Sequence, residues 1–338
     1  MSLHTGLTAP AVAAKASRGH MNLLALAIVV AAGGALTPIW TQDMPFVLAL
    51  ASHAVIAAIL ALSLDMLTGN TGLLSFGHAG WYGFGSYAAG LLAKHATPEI
   101  LLVLLLSITA AALLAVIVGQ VLTRQVGKTF AILTLAFSQI LYALVFVTAD
   151  YTGGEDGLQG IPIPTVFGVE IVAPSAWFWI LYATLVAALA CAIFVRRSPL
   201  GRAWIAIKEN TERAQFVGIN VLSLKLLAYV VSACLAALAG GLFALFNGAT
   251  SPETLHWFES GKILMYVVLG GVGTIVGPAI GAAVFTFAEH YVSSLTDSWL
   301  IYFGGLFVII VIVAPGGIFG LLRPLWNRFV ERLPGAGP

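Results

Sequence analysis

Long apolar runs follow one another along most of this chain of 338 residues. The run LLVLLLSITAAALLAVIV at 101–118 has no charged residue, and polar and apolar residues do not alternate in it. A membrane-spanning helix needs about 20 mostly apolar residues, whereas a membrane-spanning strand alternates with a period of two. The pattern therefore predicts an all-α, polytopic membrane helix bundle.

The composition supports a lipid environment and excludes other classes of protein. Apolar residues make up 60% of the chain and charged residues 9%, against about 45–50% and about 25% in soluble proteins. A net charge of +1 argues against nucleic-acid binding, which needs a concentrated basic surface. Cys191 and Cys234 lie in apolar runs and indicate core residues rather than a disulfide or metal site. We expect neither a catalytic site nor a cofactor.

Ten spans are predicted, with a short tail at each end. They are 22–41, 46–64, 72–93, 100–123, 129–148, 174–195, 219–246, 262–276, 278–293 and 299–314. The predicted organisation is an N-terminal tail at 1–20, a transmembrane domain at 21–322 and a C-terminal tail at 323–338. The polar gaps are about twenty residues at most, too short for a folded domain of roughly 50 residues. Any soluble ATPase domain must therefore belong to another chain.

The cationic residues predict which side of the membrane each loop faces, because cytoplasmic loops carry an excess of Lys and Arg. With ten spans and both termini in the cytoplasm, twelve cationic residues lie inside, namely Lys15, Arg18, Arg124, Lys128, Arg196, Arg197, Arg202, Lys208, Arg213, Arg323, Arg328 and Arg332. Lys94 and Lys262 are left outside. We therefore expect both termini in the cytoplasm.

The segment LTGNTGLLSFGHAGWYGFGSYAAGLL at 67–92 is dense in glycine, even for a membrane helix. Glycines let helix backbones approach closely and tolerate helix interruption. Its polar side chains, our candidates for a translocation path, are Asn70, Ser75, His78, Tyr82 and Ser86. The spacing predicts Ser75, Tyr82 and Ser86 on one helix face. Two interpretations are open: a tightly packed helix, which is favoured for His78, or a broken helix that lines a polar path.

A second glycine-rich segment, LGGVGTIVGPAIGAAV at 269–284, lies in the other half of the chain. It adds Gly270, Gly271 and Gly273 to the path candidates, and Gly277-Pro278 predicts a helix break. Interrupted helices in corresponding halves are typical of inverted-repeat transporters. We therefore expect an inverted repeat that relates the two glycine-rich segments.

The segment SPLGRAWIAIKENTERAQFVGIN at 198–220 predicts a cytoplasmic helix at about 199–217. Ser198 is a suitable N-cap, Glu209 and Arg213 have the spacing of an i,i+4 ion pair, and Gly218 is suited to end the helix. On the residues alone, two interpretations are open. The helix lies on the membrane surface, or it docks a cytoplasmic partner.

The opposite side of the membrane carries carboxylates. Asp150, Glu155, Asp156 and Glu170 lie between the fifth and sixth spans without Lys or Arg, and Glu253 and Glu259 precede the eighth span. They form either a solvated face or a docking surface, for which Glu155, Asp156 and Glu253 are the candidates. Charges inside the spans are few and lie near the ends, at Asp65, Glu289 and His290. This scarcity argues against an ion-coupled carrier.

Five blocks, read in order, carry a family resemblance. They are ALSLDMLTGNTGLLSFGHAGWYGFGSYAAG (61–90), YTGGEDGLQGIP (151–162), GRAWIAIKENTERAQFVGIN (201–220), VVLGGVGTIVGPAIGAA (267–283) and APGGIFGLL (314–322). Together they resemble the permease subunits of branched-chain amino-acid ABC importers, in particular the M-type permease. The resemblance covers about 50–322 and is specific because several blocks match together.

The resemblance implies that the chain translocates branched-chain amino acids across a bacterial inner membrane. It also implies partners: a sister permease, two cytoplasmic ABC ATPase subunits and a periplasmic substrate-binding protein. The segment 201–217 matches the family's coupling helix, which favours docking over a membrane-surface helix. The coupling residues so implied are Gly201, Arg202, Trp204, Ile207, Lys208, Glu209, Asn210, Arg213 and Gly218.

Other functions stay open at this stage. The same family includes permeases for urea, amides and other small solutes. A chain with few central charges also allows an autonomous channel for a small neutral solute or, less readily, an ion-coupled carrier.

Overall fold

The computed structural model describes residues 44–296, 298–313 and 316–320, and helices make up most of this part of the chain. The longer helices are α1 (Pro45–Thr71), α2 (His78–His95), α3 (Ile100–Leu122), α4 (Gly127–Val147), α6 (Pro174–Arg197), α9 (Val221–Asn247), α10 (Trp257–Gly270), α11 (Val276–Ser293) and α12 (Trp299–Val313). The shorter helices are α5 (Ala149–Thr152), α7 (Pro199–Glu209) and α8 (Thr211–Phe216). Two 3-10 turns, Gly154–Asp156 and Pro252–Leu255, and a hairpin of β1 (Thr165–Val166) and β2 (Val169–Glu170) complete the elements.

Each predicted span that falls on described residues overlaps a helix, so the helical bundle is confirmed, although the third span begins with the non-helical residues 72–77. The predicted span at 22–41 and the tails at 1–20 and 323–338 lie outside the described residues. Among the described helices, α1, α3, α4, α6 and α9 are long and apolar enough to cross a membrane. The eighth span differs from its prediction, because α10 already begins at Trp257 and ends at Gly270.

Two helices present broad apolar surfaces to the outside of the bundle. Leu105 and Ile117 on α3, and Ile132 and Ile140 on α4, are each more than 60% exposed. A soluble protein rarely leaves such contiguous apolar surface in water. These faces are therefore suited to contact lipid, and the buried core lies on the opposite sides of both helices.

The centre of the bundle is the close pair α2 and α9. A side-chain carbon at Gly85 would collide with the backbone of Ala237, and one at Gly240 would collide with the carbonyl of Tyr82. Between membrane helices, packing at short distance replaces the hydrophobic driving force. The glycines predicted to allow close approach therefore do so here.

A first connector, residues 72–77, joins α1 to α2 inside the glycine-rich segment, later than the gap at 65–71 left by the predicted spans. Gly72 ends α1 in the left-handed conformation, with φ at 76°. His78, at the start of α2, lies with Nε2 2.9 Å from Ser232 Oγ, which donates to the carbonyl of Ser63. Ser63 precedes the end of α1 by about two helical turns, or roughly 12 Å. The first connector therefore runs back along α1 into the bundle.

A second connector, residues 248–256, enters the bundle from the opposite end. The sequence interpretation placed it in an outer loop, but Leu255 is buried and its carbonyl accepts a hydrogen bond from Ser138 Oγ at 3.2 Å, midway along α4. The helix that follows, α10, meets α2 directly. The N–H of Ala79 donates to Ser260 Oγ over 3.0 Å.

The two connectors belong to two similar units, α1 with α2 and α9 with α10. The C-terminal end of α1 and the N-terminal end of α9 both contact α7, through Lys208 to the Gly69 carbonyl and Trp204 to the Leu224 carbonyl. The long helices of the two units therefore run in opposite directions, as expected of an inverted repeat. The expected pairing of segments was wrong, because the connector that matches 72–77 is 248–256 and not the glycines of 269–284.

The helix break near Gly277-Pro278 lies earlier than predicted. Residues 271–275 are non-helical, with positive φ at Gly271 (110°), Gly273 (79°) and Ile275 (66°). Gly277 and Pro278 instead lie in the first turn of α11. A proline in the first turn removes no helical hydrogen bond, because the N–H groups there have no partner within the helix.

The α2–α9 contact gives a test of the packing. Gly85→Ala should destabilise the protein by about 1–3 kcal/mol, because its new carbon meets backbone atoms that cannot move aside. The matched change Gly261→Ala meets no atom within 4 Å and should leave stability unchanged or slightly higher. Melting temperature in detergent measures both, and equal values for the two variants would contradict the packing described.

Candidate coupling and translocation sites

The coupling segment, residues 199–217, forms two short helices instead of the single predicted helix. Ser198 caps α7 with its hydroxyl and Pro199 follows in the first helical position, as expected. Asn210 then adopts an extended conformation (φ −159°, ψ 105°), and its Oδ1 accepts the N–H of Arg213 at 2.8 Å. Asparagine is a favoured N-cap, so it starts α8 and does not continue α7.

This break removes the predicted ion pair between Glu209 and Arg213. The two residues belong to different helices, both are exposed, and within the described coupling segment no ion pair joins them. The expected end of the segment is confirmed. Gly218, with φ at 85°, follows α8 in the left-handed conformation.

One face of the coupling segment attaches it to the bundle. Trp204 is fully buried and its Nε1 donates to the carbonyl of Leu224 over 2.8 Å. Ile207 is buried as well, and a side-chain carbon at Gly201 would collide with the backbone of Arg196. These three predicted coupling residues therefore hold the segment in place.

The other face is exposed and carries the remaining coupling candidates. They are Arg202, Glu209, Asn210 and Arg213, whereas Lys208 is exposed but directs its ammonium toward α1. Beside them, Phe216 is 90% exposed and Val217 is 73% exposed, which the sequence interpretation did not predict. Exposed apolar groups with a polar rim mark surfaces that contact a protein partner or the membrane.

Beneath the coupling segment, a buried carboxylate holds the break between α10 and α11. Asp65, in the last third of α1, is 1% exposed. Its Oδ1 accepts the N–H of Gly273 and its Oδ2 accepts the N–H of Ile275 at 3.1 Å. A carboxylate that accepts backbone N–H groups makes charge-assisted hydrogen bonds, which are stronger than neutral ones. The non-helical backbone of 271–275 is therefore fixed to α1.

Two cations complete this junction, which we call the Asp65 junction (Asp65, Gly69, Arg196, Lys208 and 271–275). Arg196, at the end of α6, donates to the carbonyl of Gly273, and Lys208 Nζ on α7 donates to the carbonyl of Gly69 over 2.8 Å. Both positive charges act on the Asp65 carboxylate. The coupling segment thus contacts α1 one turn from the residue that holds the α10–α11 break.

Gly69 lets the backbones meet at the Asp65 junction. A side-chain carbon there would lie 2.6 Å from Asp65 Oδ1 and 2.8 Å from the Cα of Gly273, both far closer than a normal contact. The sequence marks this position only as one glycine among many. Its role depends on contacts with residues about 200 positions away, which local pattern does not reveal.

The polar path candidates around α2 are buried and mostly satisfied. Ser86 Oγ donates to Thr250 Oγ1 over 2.5 Å, Asn70 Nδ2 donates to the carbonyl of Met66, and the Tyr82 ring packs against Phe243. These partners agree with the interpretation of a tightly packed helix.

Two candidates depart from the predicted pattern. Ser75 lies in the first connector, so it does not share a helix face with Tyr82 and Ser86; its Oγ accepts the N–H of Gly77. His78 bonds through Nε2 to Ser232, while its Nδ1 is buried without a hydrogen-bond partner, as is Asn70 Oδ1.

Gly270, Gly271 and Gly273 do not lie with the other path candidates. Gly271 and Gly273 belong to the α10–α11 break, and Gly273 is part of the Asp65 junction. At Gly270, a side-chain carbon would collide with the carbonyl of Gly277. These three glycines bring α10 and α11 together beside the coupling segment.

The predicted docking carboxylates lie together at the other end of the bundle. Glu155, Asp156 and Glu253 are exposed. Their loops are joined by hydrogen bonds between the backbones of Leu158 and Thr250, at 2.9 and 3.0 Å. The structure therefore brings two loops that are distant in sequence into one acidic surface.

Glu99 organises the neighbouring hairpin at the same end. Its carboxylate accepts the Phe167 N–H at 2.7 Å and the Thr165 hydroxyl at 3.0 Å. The hydrogen bond from Phe167 lowers the pKa of Glu99, so the carboxylate stays ionised as it holds β1 against the start of α3.

The family of the chain follows from comparison with known proteins. The family model described as the permease component of branched-chain amino acid transport systems matches residues 46–315. This match includes the first connector, the coupling segment and the α10–α11 break. The chain belongs to this family. It is thus a multi-pass membrane permease subunit, a transport component and not an enzyme.

Individual relatives agree with the family. The chain is 30% identical to the high-affinity branched-chain amino acid permease LivM of Escherichia coli strain K12, over 93% of this chain and 78% of the relative. It is 29% identical to LivM of Salmonella typhimurium with the same coverage, and 28% identical to LivH of E. coli K12 over 78% of this chain and 91% of that protein. No solved structure matches the chain.

The Asp65 junction gives a direct test. Asp65→Asn removes the charge that two backbone N–H groups share, and each such bond is worth about 1.5–3 kcal/mol. Amide hydrogen exchange at Gly273 and Ile275 should therefore accelerate roughly tenfold or more, whereas the exposed change Asp150→Asn should not affect it. Unchanged exchange at 271–275 in Asp65→Asn would show that the carboxylate does not hold the break.

Proposed function

We propose that this chain is a transmembrane subunit of an ATP-driven ABC importer that carries branched-chain amino acids across a bacterial inner membrane. The observation that carries the proposal is the coupling segment. It presents charged and apolar groups outward, and it is joined by Lys208 to the junction that holds the α10–α11 break. A surface that reaches a helix break through hydrogen bonds is suited to transmit movement from a partner into the bundle.

The proposed partners follow from the surfaces at the two ends. Two cytoplasmic ABC ATPase subunits serve the importer, one of them docking on the coupling segment around Arg202, Glu209, Arg213 and Phe216. A periplasmic binding protein docks on the acidic surface of Glu155, Asp156 and Glu253. A sister permease pairs with this chain in the lipid bilayer to complete the path. Both termini are cytoplasmic, with tails at 1–20 and 323–338 on either side of the transmembrane domain at 21–322.

The proposed mechanism is alternating access. Closure of the ATPase dimer moves the coupling segment, and Lys208 and Arg196 carry that movement to α1 and to residues 271–275. The N-terminal turns of α2 and α10 meet through Ala79 and Ser260, so displacement of α10 also alters the α2 contact. The chain contributes part of the translocation path and the coupling segment that transmits movement. It catalyses no reaction itself.

Two alternatives define the limits of the proposal. The same type of importer for urea or amides differs in substrate only. An autonomous channel for small solutes needs no partner. It therefore does not explain why Phe216 is exposed or why the coupling segment is held against the bundle.

Reconstitution tests the function. Proteoliposomes that contain this chain, a sister permease and the ATPase subunits should accumulate leucine only with ATP on the ATPase side and the binding protein on the other. Passive solute flux through this chain alone would favour the channel, and ATP-driven uptake of urea but not leucine would favour the alternative substrate.

Ala206→Pro tests the lever in the same vesicles. Proline inside α7 removes a helical hydrogen bond and clashes with the preceding turn, at a cost of about 3 kcal/mol. ATP hydrolysis should persist while leucine uptake falls at least about tenfold, a change that 1.4 kcal/mol already suffices to give. Ala206→Ser keeps the helix and serves as the control, and normal uptake by the proline variant would contradict the role of α7.

A further inference from the structure

Three charged side chains form a cluster inside the bundle that the proposed mechanism does not use. Lys262 Nζ lies 3.4 Å from Glu259 Oε2 and 3.1 Å from Glu289 Oε1. Their side chains are 17–22% exposed, so all three are reachable from one side while most of their surface is covered. We refer to these residues as the charged triad.

The sequence interpretation placed Glu259 before the eighth span and Glu289 near the outer end of the ninth, and the structure corrects the first of these. Glu259 lies in the first turn of α10, Lys262 lies one turn further along, and Glu289 lies on α11. The polar sequence WFES is helical because His256 caps α10 by accepting the N–H of Phe258 at 3.4 Å. The charged triad is therefore part of the helices that the Asp65 junction joins.

The charged triad lies where the unit of α1 and α2 meets the unit of α9 and α10. Ser260, the neighbour of Glu259, accepts the N–H of Ala79 at the start of α2. The first turn of α10 carries the positive end of the helix dipole, while the N–H groups of Phe258 and Glu259 are bonded to His256. Broken helices that start within the membrane use such ends to bind charged groups of a substrate.

The charges of the triad do not balance. One ammonium faces two carboxylates, and among the described residues Lys262 is the cation in contact with them. The nearby imidazole of His290 packs instead against Phe46, with ring centroids 4.8 Å apart. An uncompensated carboxylate within membrane helices is costly and by default marks a functional site. The cluster is thus short of one positive charge.

We propose that Glu259, Lys262 and Glu289 bind the charged ends of a zwitterionic amino acid as it crosses the permease. The ammonium of the substrate supplies the missing positive charge between the carboxylates. Its carboxylate is attracted by Lys262 and by the N-terminal turn of α10. This inference rests on the proposed function, and it assigns contact with the amino-acid substrate to three residues of this chain.

Aromatic side chains pack beside the triad on the same two helices, where they are buried at 3–4% exposure. Tyr266, one turn beyond Lys262, contacts Phe285, one turn before Glu289, with ring centroids 5.0 Å apart. Phe285 in turn contacts Phe303 at 4.5 Å. A partly exposed cluster with both signs of charge suits a zwitterion, whereas urea and amides carry no charge for the triad to bind.

Glu259→Gln separates this role from a structural one. The change leaves a balanced Lys262–Glu289 pair, so a purely structural cluster should be as stable as before or more stable, with normal transport. If the triad binds the substrate, leucine uptake by the Glu259→Gln importer should fall by about tenfold or more, because the charge-assisted bond to the substrate's ammonium is lost. Its melting temperature should not fall. The exposed change Glu170→Gln is the matched control.

A charge exchange provides the second variant. Lys262→Glu combined with Glu289→Lys keeps two carboxylates and one ammonium but moves the cation away from α10. We expect its melting temperature to recover relative to Lys262→Glu alone, while uptake does not. Normal uptake in either Glu259→Gln or the exchanged variant would overturn the inference. Failure of the unaltered importer to take up leucine would instead overturn the proposed function.

Discussion

The bonding of one buried carboxylate determines how the parts of this permease are connected. Asp65 is ionisable and almost fully covered, and in a membrane helix such a group persists only with strong partners. Its partners are the N–H groups of Gly273 and Ile275 and the charges of Arg196 and Lys208. Because these residues come from α6, α7 and the α10–α11 break, the carboxylate joins the coupling segment to that break.

Close packing makes that junction possible, and the same device recurs through the bundle. Because Gly69 has no side chain, Gly273 can lie beside Asp65. For the same reason, Gly85 and Gly240 let α2 and α9 approach closely. Close backbone contacts resist gradual deformation, so in the proposed mechanism a displacement of the coupling segment would shift whole helices rather than be absorbed locally. The two connectors, 72–77 and 248–256, bring the starts of α2 and α10 together at the place such a shift reaches.

The sequence predicts features that depend on local pattern. The presence of most spans and the cap at Ser198 follow from hydropathy and capping chemistry, and both are observed. Features that depend on distant contacts were missed. The local sequence around Asp65 does not indicate its partners about 200 residues away. The polar segment around Leu255 was interpreted as an outer loop. The Asn210 break was missed because an asparagine in a helical pattern is ambiguous until its side chain is seen to cap the next turn.

The most direct test of the account is the number of leucine molecules imported per ATP hydrolysed by the reconstituted importer with Asp65→Asn. The account predicts that ATP hydrolysis continues and that this ratio falls by about tenfold or more, because the coupling segment still moves but no longer displaces residues 271–275. A ratio equal to that of the unaltered importer would contradict the central role of the carboxylate.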